Sequence, residues 1–139
     1  MIRYVALVFL FLSGIGGYTI NKFGQDLCIN EYIAIETITY FKELNGVSAN
    51  DPSMLATCGV VSIIFSIILI FIKNKYFYIA MTFLLLVLEL ILLNMMETVS
   101  YKEIIYDSIT QCSNYSALIW FVSQLAFFGL SCVYLFRKN

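Results

Sequence analysis

Two residue types in this chain invite a chemical reading. Four cysteines stand at positions 28, 58, 112 and 132, and one carboxylate, Glu89, interrupts the apolar run "MTFLLLVLELILLNMME". There is no histidine, which removes the commonest metal ligand and the usual general base together. A thiol–disulfide enzyme tunes its thiolate with a Cys-x-x-Cys pair, and no such pair occurs here. Gly-rich phosphate loops and clustered acidic metal ligands are also missing from the sequence. The expectation is a chain that is not an enzyme, with no metal, no cofactor and no nucleic-acid partner.

The elements that must position these residues are membrane spans. Hydrophobic residues make up 61% of the 139 and charged ones 12%, too apolar for a single soluble domain of this size to bury. Four runs are long enough for a transmembrane helix: residues 4–20, 53–72, 76–96 and 115–136. Only the third carries a charge, Glu89. None alternates with period 2, so a barrel is not expected. The predicted fold is all-α: one polytopic membrane domain over residues 1–139, with four transmembrane helices in an antiparallel bundle and two outer loops, 21–52 and 97–114.

Charge gives the threading. Arg3, Lys73, Lys75, Arg137 and Lys138 flank one set of helix ends, with no acidic side chain among them. The two loops hold three lysines (22, 42 and 102) against eight carboxylates. By the positive-inside rule both termini are cytoplasmic and both loops face outward. The preferred setting is a bacterial inner membrane. The first span has a rival reading: "MIRYVALVFLFLSGIGG" also fits a secretory signal cleaved after Gly16.

In the first outer loop, "INEYIAIETITYFKEL" suits a strand and also permits a surface-lying amphipathic helix. Asn45-Gly46 supplies a turn. Asp51 is the expected N-cap of the second span, with Pro52 at its first position. In the second loop, Ser100 and Glu103 have capping-box spacing, which predicts a short interfacial helix from 101 to about 109. Asn114-Tyr115-Ser116 is a formal glycosylation sequon, read as chance beside a span. Cys28 and Cys112 both fall in outer loops, where a disulfide would persist. Cys58 is an alternative partner for either. Cys132 reads as a small packing residue.

Helices associate in lipid through small residues and polar side chains, and each span offers such a face. Ala6, Leu10, Ser13 and Gly17 share a side of the first, with Ser13 and Gly17 at small-xxx-small spacing. Cys58, Ser62 and Ser66 follow at intervals of four in the second. Thr82 and Glu89 align in the third, and Ser116, Ser123, Gln124 and Ser131 in the fourth. Together they form an expected polar seam of Glu89, Gln124, Ser62, Ser66, Thr82 and Ser123. Glu89 falls near mid-membrane, where a carboxylate is expensive and functional by default. No Lys or Arg lies in any span. The structural reading is a neutral Glu89 hydrogen-bonded to Gln124 or Ser66. The functional reading is a proton or cation site, or a contact for an invading transmembrane partner.

In size, span number and cytoplasmic ends, the layout resembles that of four-span immunity proteins against pore-forming colicins. The resemblance is architectural, carries no residue motif and transfers no site residue. It implies a non-enzymatic inner-membrane binding protein that protects the cell from a pore-forming or membrane-targeting toxin. Its partners would be the lipid bilayer and a protein met through the acidic loops or the bundle faces. The alternative is a small ion- or proton-coupled transporter or channel subunit using Glu89. Small multidrug transporters also combine four spans with a membrane Glu, though theirs lies in the first span.

Overall fold

The computed structural model describes residues 1–22, 26–44, 50–96 and 99–136. The expected turn at Asn45-Gly46 and the charges of Glu97, Arg137 and Lys138 lie outside the described residues. In chain order the elements are α1 (Ile2–Tyr18), β1 (Cys28–Asn30), β2 (Ile38–Tyr40), a 3-10 turn (Phe41–Glu43), α2 (Asp51–Phe71), α3 (Lys75–Asn94), α4 (Tyr101–Thr110) and α5 (Tyr115–Phe136). Three of these, α2, α3 and α5, are long and apolar enough to cross a membrane; α1 is apolar but has 17 residues. Their outward faces carry bare large side chains, Phe11, Ile64, Phe83 and Leu125 among them. A water-soluble surface rarely shows apolar area on this scale, so a lipid bilayer is the environment that suits it.

Helix ends explain themselves locally. Asn74 caps α3, its Oδ1 accepting from the backbone N–H of Tyr76 at 2.9 Å and of Phe77 at 3.4 Å. Asn50, not Asp51, precedes α2; Asp51 is already its first residue and is buried, with Pro52 behind it. Ser100 does precede α4, but its side chain makes no capping bond. The turn is held instead by the backbone N–H of Glu103 donating to the Ser100 carbonyl at 2.9 Å. Arg3 donates to the carbonyls of Leu69 and Ile70, each at 2.7 Å. That places a cation on the unsatisfied, negative end of α2.

The helices pack in the order α3, α2, α1, α5. Contact is extensive between α1 and both α2 and α5, moderate between α2 and α3, and sparse between α3 and α5. The tightest approach is at Gly17 and Gly59. A Cβ on Gly59 would lie 2.4 Å from the backbone nitrogen of Tyr18, so α1 and α2 meet backbone to backbone there. Two apolar clusters fill the interior. One, near the loops, gathers Ile20, Leu27, Phe41, Leu55, Cys58, Leu93, Ile104 and Trp120; the other, toward the opposite end, gathers Leu10, Phe65, Leu69, Tyr78, Leu85 and Phe127.

The described residues of the loops form a cap over one end of the helices. β1 and β2 pair antiparallel, with Ile29 opposite Thr39, so the strand reading of the first loop holds over these residues. The free edge of β1 is covered by α4, as an exposed strand edge requires. Ser108 Oγ accepts from the Cys28 N–H at 3.0 Å, and an Asp107 carboxylate oxygen accepts from the Asn30 N–H at 2.9 Å. Cys28 and Cys112 form a disulfide, with Cα atoms 6.5 Å apart. Cys58 is free and buried; Cys132 is free and exposed, so it is not the packing residue expected.

Candidate functional site

Between the two apolar clusters lies one polar layer, to which each of α1, α2, α3 and α5 contributes a side chain. Ser13 Oγ donates to Gln124 Oε1, and Gln124 Nε2 donates to Glu89 Oε2. Ser62 Oγ donates to Glu89 Oε1 at 2.6 Å. Glu89 is 3% exposed and Gln124 7%, while Ser13 and Ser62 are wholly buried. The chain Ser13–Gln124–Glu89–Ser62 therefore runs across the helices as a single hydrogen-bonded thread. Both Glu89 oxygens are occupied, which meets the requirement that a buried polar group be paired.

The thread does not depend on one proton arrangement. A hydroxyl both donates and accepts, and a side-chain amide can rotate to exchange its O and N positions. If Glu89 carries a proton on Oε1, Ser62 becomes its acceptor and every member stays bonded. A carboxylate is accommodated as well, because both of its neighbours present donors.

The remaining expected seam residues share the buried faces but not the thread. Ser66 donates to its own helix, to the Ile63 carbonyl at 2.7 Å, and not to Glu89. Thr82 likewise turns back to the Tyr78 carbonyl at 2.9 Å. A hydroxyl can satisfy itself on a helix carbonyl three or four residues back, and spacing alone does not distinguish that from a bond across helices. Ser123 is buried beside Gln124 on α5. Ser13 and Gly17 lie on the packed face of α1, the first in the thread and the second against Gly59.

Two buried polar positions escaped the sequence reading. Tyr78 is 1% exposed and its hydroxyl pairs with Ser131 Oγ at 3.0 Å, giving α3 and α5 a second polar link. Aromatic residues at the start of a span read as interface anchors, so nothing in the pattern marked this one as interior. Asn114, dismissed as a chance sequon, is a buried hub. Its Nδ2 donates to the carbonyls of Ile20 and Asp26 at 2.8 and 2.9 Å, and its Oδ1 caps α5 by accepting from the Ala117 N–H at 2.9 Å. That nitrogen is committed twice and shielded, so it is not a glycan acceptor in the folded chain. Its place just before an apolar run was the available signal for a cap.

The α3–α5 flank is where the site meets its surroundings. Because these helices touch sparsely, a groove of about 220 Å³ opens between them. Leu90, Leu93, Phe121, Leu125 and Phe128 contribute its walls, and the polar pair Glu89 and Gln124 lines it as well. Trp120 also borders it, and its buried indole N–H has no hydrogen-bond partner among the described residues. Among the described residues no group of three metal-ligating side chains comes together. Comparison with protein-family models, curated proteins and solved structures returns no match to this chain.

Proposed function

We propose that this chain is a non-enzymatic integral membrane binding protein whose partner is a transmembrane helix entering between α3 and α5. In its most concrete form it is an immunity-type protein against a pore-forming or membrane-targeting toxin. In this reading α1, α2, α3 and α5 all cross the membrane as an antiparallel bundle in one domain. The cap faces outward and both termini are cytoplasmic, in a bacterial inner membrane. The distribution of lysines, arginines and carboxylates supports that orientation.

One observation carries the binding reading: the helices form an arc whose open flank is apolar yet has a carboxyl–amide pair in its lining. The face of a partner helix fills the walls of such a groove more closely than lipid tails do. A hydroxyl or amide on that helix at mid-depth would lie beside the thread and could exchange hydrogen bonds with it. The acidic loops add a means of steering a basic partner to that flank.

The test is a membrane-permeability assay in cells expressing the chain together with the products of neighbouring genes. Protection against a depolarising product is the expected result. Leu125→Trp, at an exposed groove wall, should abolish it while leaving the disulfide-bonded fold intact. Protection that survives tryptophans at both Leu90 and Leu125 would refute docking at this flank. Flux that requires the chain and disappears in Glu89→Gln would favour the transport alternative.

A further inference from the structure

A second groove, separate from the α3–α5 flank in its main walls, lies between α4 and α5. Its volume is about 420 Å³, and its lining includes Ile105, Ile109, Leu118 and Val122, with Lys102 and Tyr106 beside them. Among the described residues, no acidic side chain lines it. That is notable on α4, where Glu103 and Asp107 are close in sequence: the Asp107 carboxylate is turned to the Asn30 N–H, and Glu103 is not part of the lining. The result is one cation beside an otherwise apolar slot.

The slot sits where a membrane interface would fall. Its α5 wall begins one turn inside that apolar helix, at Leu118, and its α4 wall is a short helix with only one buried side. Tyr101 and Tyr106 are of the residue type that favours headgroup depth. A lysine with an apolar stem reaches naturally from such a slot to the water. These features match an amphiphile with hydrocarbon below and negative charge above.

We propose that the α4–α5 groove is a binding site for an anionic phospholipid, one acyl chain lying against Ile105, Leu118 and Val122 and the phosphate paired with Lys102. This proposal does not rest on the function proposed for the α3–α5 flank. Three residues, Tyr101, Ile105 and Phe121, line both grooves, so an occupied lipid site would also stiffen one wall of the other.

The experiment uses the full chain in detergent, titrated separately with phosphatidylglycerol and with phosphatidylcholine of identical acyl chains. Bound lipid is counted by native mass spectrometry. Phosphatidylglycerol should be retained about fivefold more tightly, the preference that one lysine near a lipid surface confers. Lys102→Glu should erase that preference or invert it. Val122→Trp, which fills the slot, should reduce retention of both lipids. Lys102 is exposed, so its substitution leaves the core untouched, and formation of the Cys28–Cys112 bond verifies the fold of each variant. Equal retention of the two lipids by the unmodified chain would overturn the proposal, as would a preference unchanged in Lys102→Glu.

Discussion

In the cap, polar side chains bond to the backbone; in the thread that crosses the helices, they bond to one another. Asn114 holds two carbonyls and one N–H, Ser108 serves both the N–H and the carbonyl of Cys28, and the Asp26 carboxylate accepts from the N–H groups of Leu27 and Lys42. This is what irregular chain requires, since its backbone groups have no ladder to satisfy them. In the seam the helices already satisfy their own backbones, so Ser13, Ser62, Glu89 and Gln124 are free to pair across helices. A backbone group that loses its partner stays where it is. A side chain that loses its partner can rotate. The cap should therefore be brittle to substitution and the thread forgiving, although Asn114 and Ser108 in the one and Glu89 and Ser62 in the other are all buried.

Asn114→Ala tests the brittle half and should have the largest effect. It orphans the Ile20 and Asp26 carbonyls and removes the cap of α5. The expected cost is about 3 kcal/mol, from buried groups left unpaired at about 1–3 kcal/mol each with partial relief by water. Unfolding by titration with a denaturing detergent in mixed micelles would measure it. A cost below that of the seam variants described below would break the comparison.

The double change Cys28→Ser and Cys112→Ser comes next. The bond closes a loop with a sequence separation of 84, for which chain-entropy estimates run to about 4–5 kcal/mol. Membrane-embedded helices already hold the two loops close in the unfolded chain, so about 2 kcal/mol is the better expectation. The same titration with and without reductant would check it. Proteolysis in the cap should accelerate on reduction, while the helices stay protected.

What the sequence revealed follows the same division. The helical runs, the short α4 and the buried faces of α1, α2, α3 and α5 were legible, because an apolar helix shows its length in composition and its contacts in periodicity. Cys28 and Cys112 were legible as a pair because both fall in loops. The hydrogen-bond partners were not. Ser62 and Ser66 differ by one turn of the same face, and only the three-dimensional offset between α2 and α3 decides that Ser62 reaches Glu89. The Ser100–Glu103 spacing was right for a helix start but not for the side-chain bond it implied. Asn114 was hidden because its partners, Ile20 and Asp26, are about ninety residues away in sequence. The open flank was hidden too, since each helix alone looks able to close a bundle.

Glu89→Leu tests the forgiving half. It removes the two acceptors that Glu89 gives to the thread, and Ser62 can then turn to a carbonyl of its own helix. Interhelical hydrogen bonds in membranes average about 0.6 kcal/mol, so two of them set an expected loss of about 1 kcal/mol. Gln124 keeps Ser13 as a partner, which limits the damage.

Glu89→Gln should cost least, and it sharpens the comparison furthest. A glutamine offers one acceptor and one donor group where the neutral acid offers an acceptor and a hydroxyl. With its oxygen toward Gln124 and its NH2 toward Ser62, the thread closes if Ser62 accepts and passes its own proton to the helix backbone. The expected change is a few tenths of a kcal/mol, within the scatter of surface substitutions. A loss as large as that of Glu89→Leu would mean that the carboxylate itself is required. The seam would then resemble the cap in holding fixed charges, and Glu89 would regain a claim to ion-coupled work. Near-silence in stability together with loss of protection in the permeability assay would instead assign Glu89 to the partner helix, because only a bound partner would then distinguish the acid from the amide.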